Sequence, residues 1–292
     1  MKKITKAVIP AAGLGTRMLP IARTVPKEML PIVDRPSMEY LVREAVESGI
    51  TDILIINGRN KNVIEDYFDY SVEYDNNLRA KNKQKELADI ESVCSLANVY
   101  FIRQKVTRGL GHAISCARSF IGDEPFAVLY GDDIMYSDTK PVTKQLIDAF
   151  EKYGKATAGV CRVSDEDVKR YCSLKTDHIN ENIYAVSDMV EKPQTPEEKF
   201  SNFSILGRVV LTPDIFDILD NTKPGAGGEI QLTDAMRVLS QTVGMTAVEY
   251  DGVRYDMGDK LGFLKANVEF ALRHPTLADS FKEYLRDIVN DL

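Results

Sequence analysis

Ala11-Ala12-Gly13-Leu14-Gly15-Thr16-Arg17 sets two glycines and an arginine directly after an apolar run, a composition suited to holding phosphate. Glycines let backbone N–H groups come close to an anion, and a guanidinium supplies a permanent charge. An ordinary Gly-rich turn is the competing explanation. Two familiar phosphate motifs are excluded. A dinucleotide fingerprint needs a third glycine near Met18 and an acid after the second strand, where Asn57-Gly58 stands, and no Walker A pattern occurs. Downstream, Pro26-Lys27-Glu28-Met29-Leu30-Pro31 holds a lysine between prolines, which restricts its backbone and makes Lys27 a candidate fixed cation.

Gly131-Asp132-Asp133 follows the strand-like run from Phe126 to Tyr130, so its carboxylates are expected at the same sheet edge as the Gly-rich loop. Asp256 in Tyr255-Asp256-Met257-Gly258 offers a second oxygen ligand. Mg²⁺ takes one or two carboxylates plus substrate phosphates more readily than an all-protein cage, although a GDD turn also has a plain explanation in turn chemistry. Glu191-Lys192-Pro193 ends another strand, where successive side chains diverge; a surface ion pair is the alternative. Gln104, with Gly109 and Gly111 after it, is a neutral amide at a strand end. Glu229 and Asp234 are expected to open a helix after Gly227-Gly228, where acids favour the N-terminus. The lone His112 is given no acid–base role.

These residues need a scaffold, and the periodicity supplies one. Lys6 to Ala12 reads as a strand, Met38 to Gly49 as a helix and Asp52 to Asn57 as a strand. Val99 to Gln104, Phe126 to Tyr130 and the helices Gly109 to Phe120 and Val142 to Tyr153 continue that rhythm. Roughly four right-handed crossover units are expected. The stretch 71–97 is highly charged and reads as a solvated helical insertion. Strands are expected again at Thr157 to Val163, Ile183 to Val190, Ile205 to Leu211 and Thr246 to Tyr250. From Lys260 onward, Leu261, Leu264, Val268 and Leu272 recur at helical spacing, in helices that could cap the sheet or contact another subunit. Residues 1–292 therefore read as one domain, with an insertion at 71–97 and C-terminal helices over 260–292.

With 44% hydrophobic residues in 292, a sizeable core is available, and no run approaches the ~18 apolar residues of a membrane span. Met1-Lys2-Lys3 leads into a strand rather than a signal-peptide core. Four cysteines without a C-x-x-C pair, and three scattered histidines, suit a reduced cytoplasm without structural zinc. A net charge of −7 argues against nucleic-acid binding, so any polyanionic ligand must meet locally placed cations.

The run PAAGLGTRMLP followed by PKEMLPIVDRP resembles the sugar-nucleotide pyrophosphorylases, specifically the bacterial UTP:glucose-1-phosphate uridylyltransferases. The likeness continues at FIRQ-x5-GLGHA, GDD, VEKP, GAGGEIQLTDA and RYDMGDKLGF, from about Ile4 to about Leu272. It implies an α/β, Rossmann-like three-layer nucleotidyltransferase fold with a central mixed, mainly parallel sheet and a helical C-terminal tail. It further implies Mg²⁺ as cofactor, UTP and glucose 1-phosphate as substrates, no nucleic acid or membrane partner, and a homodimer or homotetramer.

Carried over residue by residue, the resemblance implies that Asp132 and Asp256 ligate the metal, while Asp133 is left open. Arg17, Lys27 and Lys192 are the catalytic cations. Ala11 to Thr16, Glu28, Gln104, Gly109 and Gly131 bind the nucleotide. Glu191, Lys192, Gly207 and Cys172 meet the sugar. The chain departs from the family pattern at Tyr171-Cys172, where relatives carry Tyr-Gly, at Gly207-Arg208-Val209 in place of Gly-Arg-Tyr, at Ile21 to Val25, and in the short segment Ser173 to Tyr184. A cysteine side chain at 172 is expected to narrow or reshape the sugar pocket. The alternatives are a pyrophosphorylase for another sugar 1-phosphate or dTTP, and a catalytically silent paralogue that binds sugar nucleotide.

Overall fold

A computed structural model describes residues 2–291. Its strands are β1 (Lys6–Ala11), β2 (Pro31–Ile32), β3 (Arg35–Pro36), β4 (Asp52–Asn57), β5 (Asn98–Arg103), β6 (Phe126–Leu129) and β7 (Asp133–Tyr136). They continue as β8 (Ala156–Arg162), β9 (Cys172–Asn180), β10 (Ile183–Glu191), β11 (Phe203–Leu211), β12 (Met245–Glu249) and β13 (Val253–Asp256). Nine form one sheet in the order β5-β4-β1-β6-β11-β8-β12-β10-β9. The pairs β4 with β5, β1 with β4, β1 with β6 and β8 with β12 are parallel, and only β10 and β11 run against the rest.

Strand alternation explains the three layers. Ile9, Ile53 and Ile55 face one helix layer, with Met38, Leu41 and Leu146, whereas Val8, Leu54 and Ile56 face the other, with Ile114, Phe216 and Leu239. Both faces of these strands are covered, so the runs are apolar throughout, as parallel strands require. The insertion is a helix pair, Val72–Ala80 and Gln84–Cys94, which buries only Leu78, Leu87, Val93 and Asp75. The tail forms the helices Lys260–Arg273 and Ala278–Asp291. Among the described residues, no helix is long and apolar enough to cross a membrane.

Two helix expectations need correction. The helix expected from Gly109 to Phe120 is broken into Leu110–Ser115 and Arg118–Ile121. At the break Cys116 N bonds Ala113 O and Ala117 N bonds Ile114 O, at 3.0 and 2.9 Å, which tightens the chain into a three-residue turn. The helix expected directly after Gly228 begins only at Leu232, with Gln231 at its N-cap, so Glu229 lies outside it.

Candidate active site

The ends of β1 and β6 lie side by side. The loop after β6 crosses the end of β1 so closely that a Cβ at Gly131 would stand 2.6 Å from Pro10 O, so only glycine fits. This crossing places Asp132 beside the Gly-rich loop. After β1 the chain turns through Gly15, at φ 66°, into a short turn over Thr16–Met18. Lys61 ties that region down from below: its Nζ donates to Ala11 O at 2.5 Å and pairs with both oxygens of the buried Glu28, at 2.8 and 2.9 Å. Burial pushes the Glu28 carboxyl up and the Lys61 ammonium down, each against the pull of its partner.

Lys27 Nζ reaches Asp132 Oδ2 at 2.5 Å. Burial alone would lower the lysine, but the Asp132 charge and hydrogen bond hold it above its ordinary value; burial would raise Asp132, and Lys27 holds it below. Antiparallel pairing of β7 with β13 sets Asp256 opposite Asp133, and Met257 N bonds Asp132 O at 2.7 Å. Asp256 is thereby carried to Asp132 and Arg17, whose guanidinium is 3.6 Å from Asp256 Oδ2. Gly258 marks the meeting point. A Cβ there would stand 2.8 Å from Arg17, 3.0 Å from Asp256 Oδ1 and 3.1 Å from Asp132 Oδ2.

Asp133 faces elsewhere. It is buried and held by Arg254, at 2.6 Å, and burial pushes its carboxyl up to about 6 against that pull. Arg254 also lies 3.6 Å from Asp256 Oδ2 and donates to the Tyr171 hydroxyl at 3.2 Å. Two hard carboxylates converging beside Gly258 suit a divalent cation that takes its remaining ligands from phosphates and water. Among the described residues no cluster of three or more His, Cys, Asp or Glu side chains is arranged to hold a metal ion.

A cleft of about 240 Å³, which shares Lys27 with the group around Asp132, is lined by Pro10, Ala12, Gly13, Glu28, Gln104, Gly109 and Glu229. Leu14 is exposed, as are Thr16 and Arg17. Glu229 enters the site as a cleft residue. Its expected role as a helix cap had hidden it.

The far side of the site comes from β9 and β10. β10 shifts register between Val186 and Asp188, and its end packs with Cys172 against β11, where Ser204 Oγ donates to Cys172 O at 2.6 Å. Burial, and after it the fields of Cys172, Glu191, Asp133 and Asp132, push the Tyr130 phenol up. Lys192 adopts φ 49°, strained for a residue with a side chain, while its N–H donates to Tyr171 O at 2.7 Å and its Nζ stays 3.6 Å from Glu191. The Cys172 thiol points inward, accepting from Ile205 N at 3.2 Å among Leu174, Val186 and Met189. The residue is 3% exposed, so its side chain belongs to the core packing of β9. Gly207 is likewise buried, under Asp133 and Met135.

Several supporting residues went unseen in the sequence. Arg208, fully buried, grips Glu44 through Nε at 3.0 Å and donates to Asp133 O at 2.9 Å, while Glu44 also accepts from Thr143 N and Oγ1. Lys61 carries no local signal beyond its charge, and Arg254, although it heads RYDMGDKLGF, was given no role.

A parallel sheet that ends in a Gly-rich loop, two converging carboxylates and paired cations defines an enzyme that handles nucleotide phosphates. Residues 6–272 match the family model described as nucleotidyl transferase, and the chain belongs to that family. It is 51% identical to the UTP–glucose-1-phosphate uridylyltransferase YngB of Bacillus subtilis, over 99% of this chain and 96% of the relative. A second B. subtilis UTP–glucose-1-phosphate uridylyltransferase is 48% identical over 99% of both chains. Among solved structures, the UTP-bound UGPase from Acinetobacter baumannii superposes with a TM-score of 0.90 at 38% identity, covering 97% of this chain and 98% of that one. A UDP-glucose pyrophosphorylase complexed with UDP-glucose gives 0.85 at 42% identity, over 93% and 100%.

Proposed function

We infer that this chain transfers the uridylyl group of UTP to glucose 1-phosphate, forming UDP-glucose and pyrophosphate. The observation that carries this is the convergence of Asp132, Asp256 and Arg17 beside Gly258, with Lys27 joining Asp132 to a cleft lined by Ala12 and Gly13. Relatives of that name, near half identical over the full length, support the substrate pair.

The reaction needs no protein nucleophile. A phosphate oxygen of glucose 1-phosphate attacks the α-phosphorus of UTP, and the bond from that phosphorus to the β-bridging oxygen breaks, releasing pyrophosphate. Two anions must meet, and at ~4 Å a unit-charge pair repels by about 4 kcal/mol at an effective dielectric of ~20. Arg17 and Lys27 offset that repulsion at the triphosphate, and Lys192 does so at the sugar phosphate. Ala11 to Thr16, Glu28 and Gly131 shape the nucleotide end of the cleft; Gln104 and Gly109 face the base. Glu191, with the backbone of Cys172 and Gly207, frames the sugar. When bound on Asp132 and Asp256, Mg²⁺ supplies charge neutralisation along the phosphates.

Residues 1–292 act as one domain in this account. The proposed setting is the cytoplasm, with four free thiols. A homodimer or homotetramer is proposed from Leu261, Leu264 and Val268, which the first tail helix leaves exposed.

The residue assignment is tested by steady-state kinetics of two variants. Lys192→Ala should raise the KM for glucose 1-phosphate far more than that for UTP, and Asp132→Ala should abolish Mg²⁺-dependent turnover. Wild-type kcat/KM in both would refute the assignment.

A further inference from the structure

We propose that His112 fixes the side-chain amide of Gln104 so that only its carbonyl oxygen meets the nucleotide base, which selects a pyrimidine carrying an N3–H over one that lacks it. The proposal rests on the reading of Gln104 as the residue that faces the base. Gln104 is 5% exposed and lines the same cleft as Gly13 and Lys27. Its Nε2 donates to Gly109 O at 3.3 Å and lies 2.8 Å from His112 Nδ1.

Gly109 O can only accept, so the amide nitrogen must face it, whatever the state of the imidazole. His112 Nδ1 must then accept the second N–H, with the ring proton on Nε2. Both hydrogens of the amide are occupied. Oε1 is left as a pure acceptor, to which uracil and thymine can donate N3–H, whereas cytosine presents a lone pair there. A site built around one hydrogen bond rejects a ligand that cannot complete it.

The surroundings keep the imidazole neutral. Burial and the charge of Arg108 hold His112 below its ordinary 6.5. Lys27, Glu28 and Glu229 line the same cleft as Gln104, while the neighbouring Cys116 thiol donates to the His112 carbonyl at 3.3 Å. Protonation would set an N–H of the ring against an N–H of the amide and break the arrangement.

The test compares UTP with CTP as co-substrate of glucose 1-phosphate in the full chain. His112→Leu removes the acceptor and should raise the KM for UTP and lower the UTP-to-CTP ratio of kcat/KM by roughly three- to tenfold, the worth of one hydrogen bond. His112→Asn places Oδ1 where Nδ1 stood and should restore both. In the wild type the UTP KM should climb as pH falls below 6.5, and in His112→Asn that climb should vanish. Should His112→Leu fold poorly, the pH profile of His112→Asn decides alone. A His112→Leu enzyme with unchanged KM and ratio, or a His112→Asn enzyme as impaired as the leucine variant, would overturn the proposal. Gln104→Leu separates the two layers: if it loses discrimination while His112→Leu does not, only the role of His112 fails, and if it too is unchanged, the base-facing reading of Gln104 fails with it.

Discussion

Lys27 Nζ stands 2.5 Å from Asp132 Oδ2, so the cation assigned to the phosphates and the carboxylate assigned to the metal pair directly with each other. Side-chain exposures of 13% and 27% leave the pair partly shielded from solvent, where its charge coupling is retained.

That coupling fixes a pH signature. The Asp132 carboxyl lies below its ordinary 3.8 in the folded state, so its stabilisation is present above 3.8 and is lost as pH falls through the folded value. The Lys27 ammonium lies above 10.5, so its stabilisation is present below 10.5 and is lost as pH rises through the folded value. Urea unfolding should show a stability gap between wild type and Lys27→Met that is flat from about pH 5 to about pH 9 and closes at both extremes. A gap that widens in acid would contradict the pairing.

The Glu44–Arg208 pair should matter most for the scaffold. Arg208→Met leaves Glu44 buried and uncompensated, which should cost about 3–5 kcal/mol in denaturant unfolding, while replacing both residues by apolar ones should cost less. Because Arg208 also holds Asp133 O, the single variant should lose turnover as well. A double replacement that is worse than the single would show that the pair is not the main constraint.

Cys172 should be chemically silent. Burial pushes its thiol up to about 12, so a thiol reagent at pH 8 should label the native protein elsewhere and reach Cys172 only after unfolding. Cys172→Gly should destabilise by roughly 1–3 kcal/mol without reversing the preference between glucose 1-phosphate and galactose 1-phosphate. Rapid native labelling of Cys172 would place the thiol on the cleft after all.

What the sequence made legible was local. The Gly-rich loop and GDD each follow an apolar strand, so the strand's carboxyl end delivers them to one edge, whereas Asp256, at the end of the unforeseen β13, was placed with them only by the family resemblance. The strands themselves, such as Asp52–Asn57, stand out because both faces are covered and the run is apolar throughout. The supporting charges were not legible, since Lys61 meets Glu28 across 33 residues, Arg254 meets Asp133 across 121 and Arg208 meets Glu44 across 164. Glu229 was obscured differently: acids before a helix have a sufficient local explanation, and only the start at Leu232 removes it. That the Cys172 side chain faces inward was not legible either, because the inward side of a strand depends on a register that Cys172 itself does not encode.

The most direct measurement is pyrophosphate release by the purified chain with Mg²⁺ and UTP plus glucose 1-phosphate, run beside galactose 1-phosphate and dTTP, with chelation as the control. Fast release with UTP and glucose 1-phosphate, matched by UDP-glucose and abolished by chelator, is the predicted result; release only with another pair, or none at all, would contradict it.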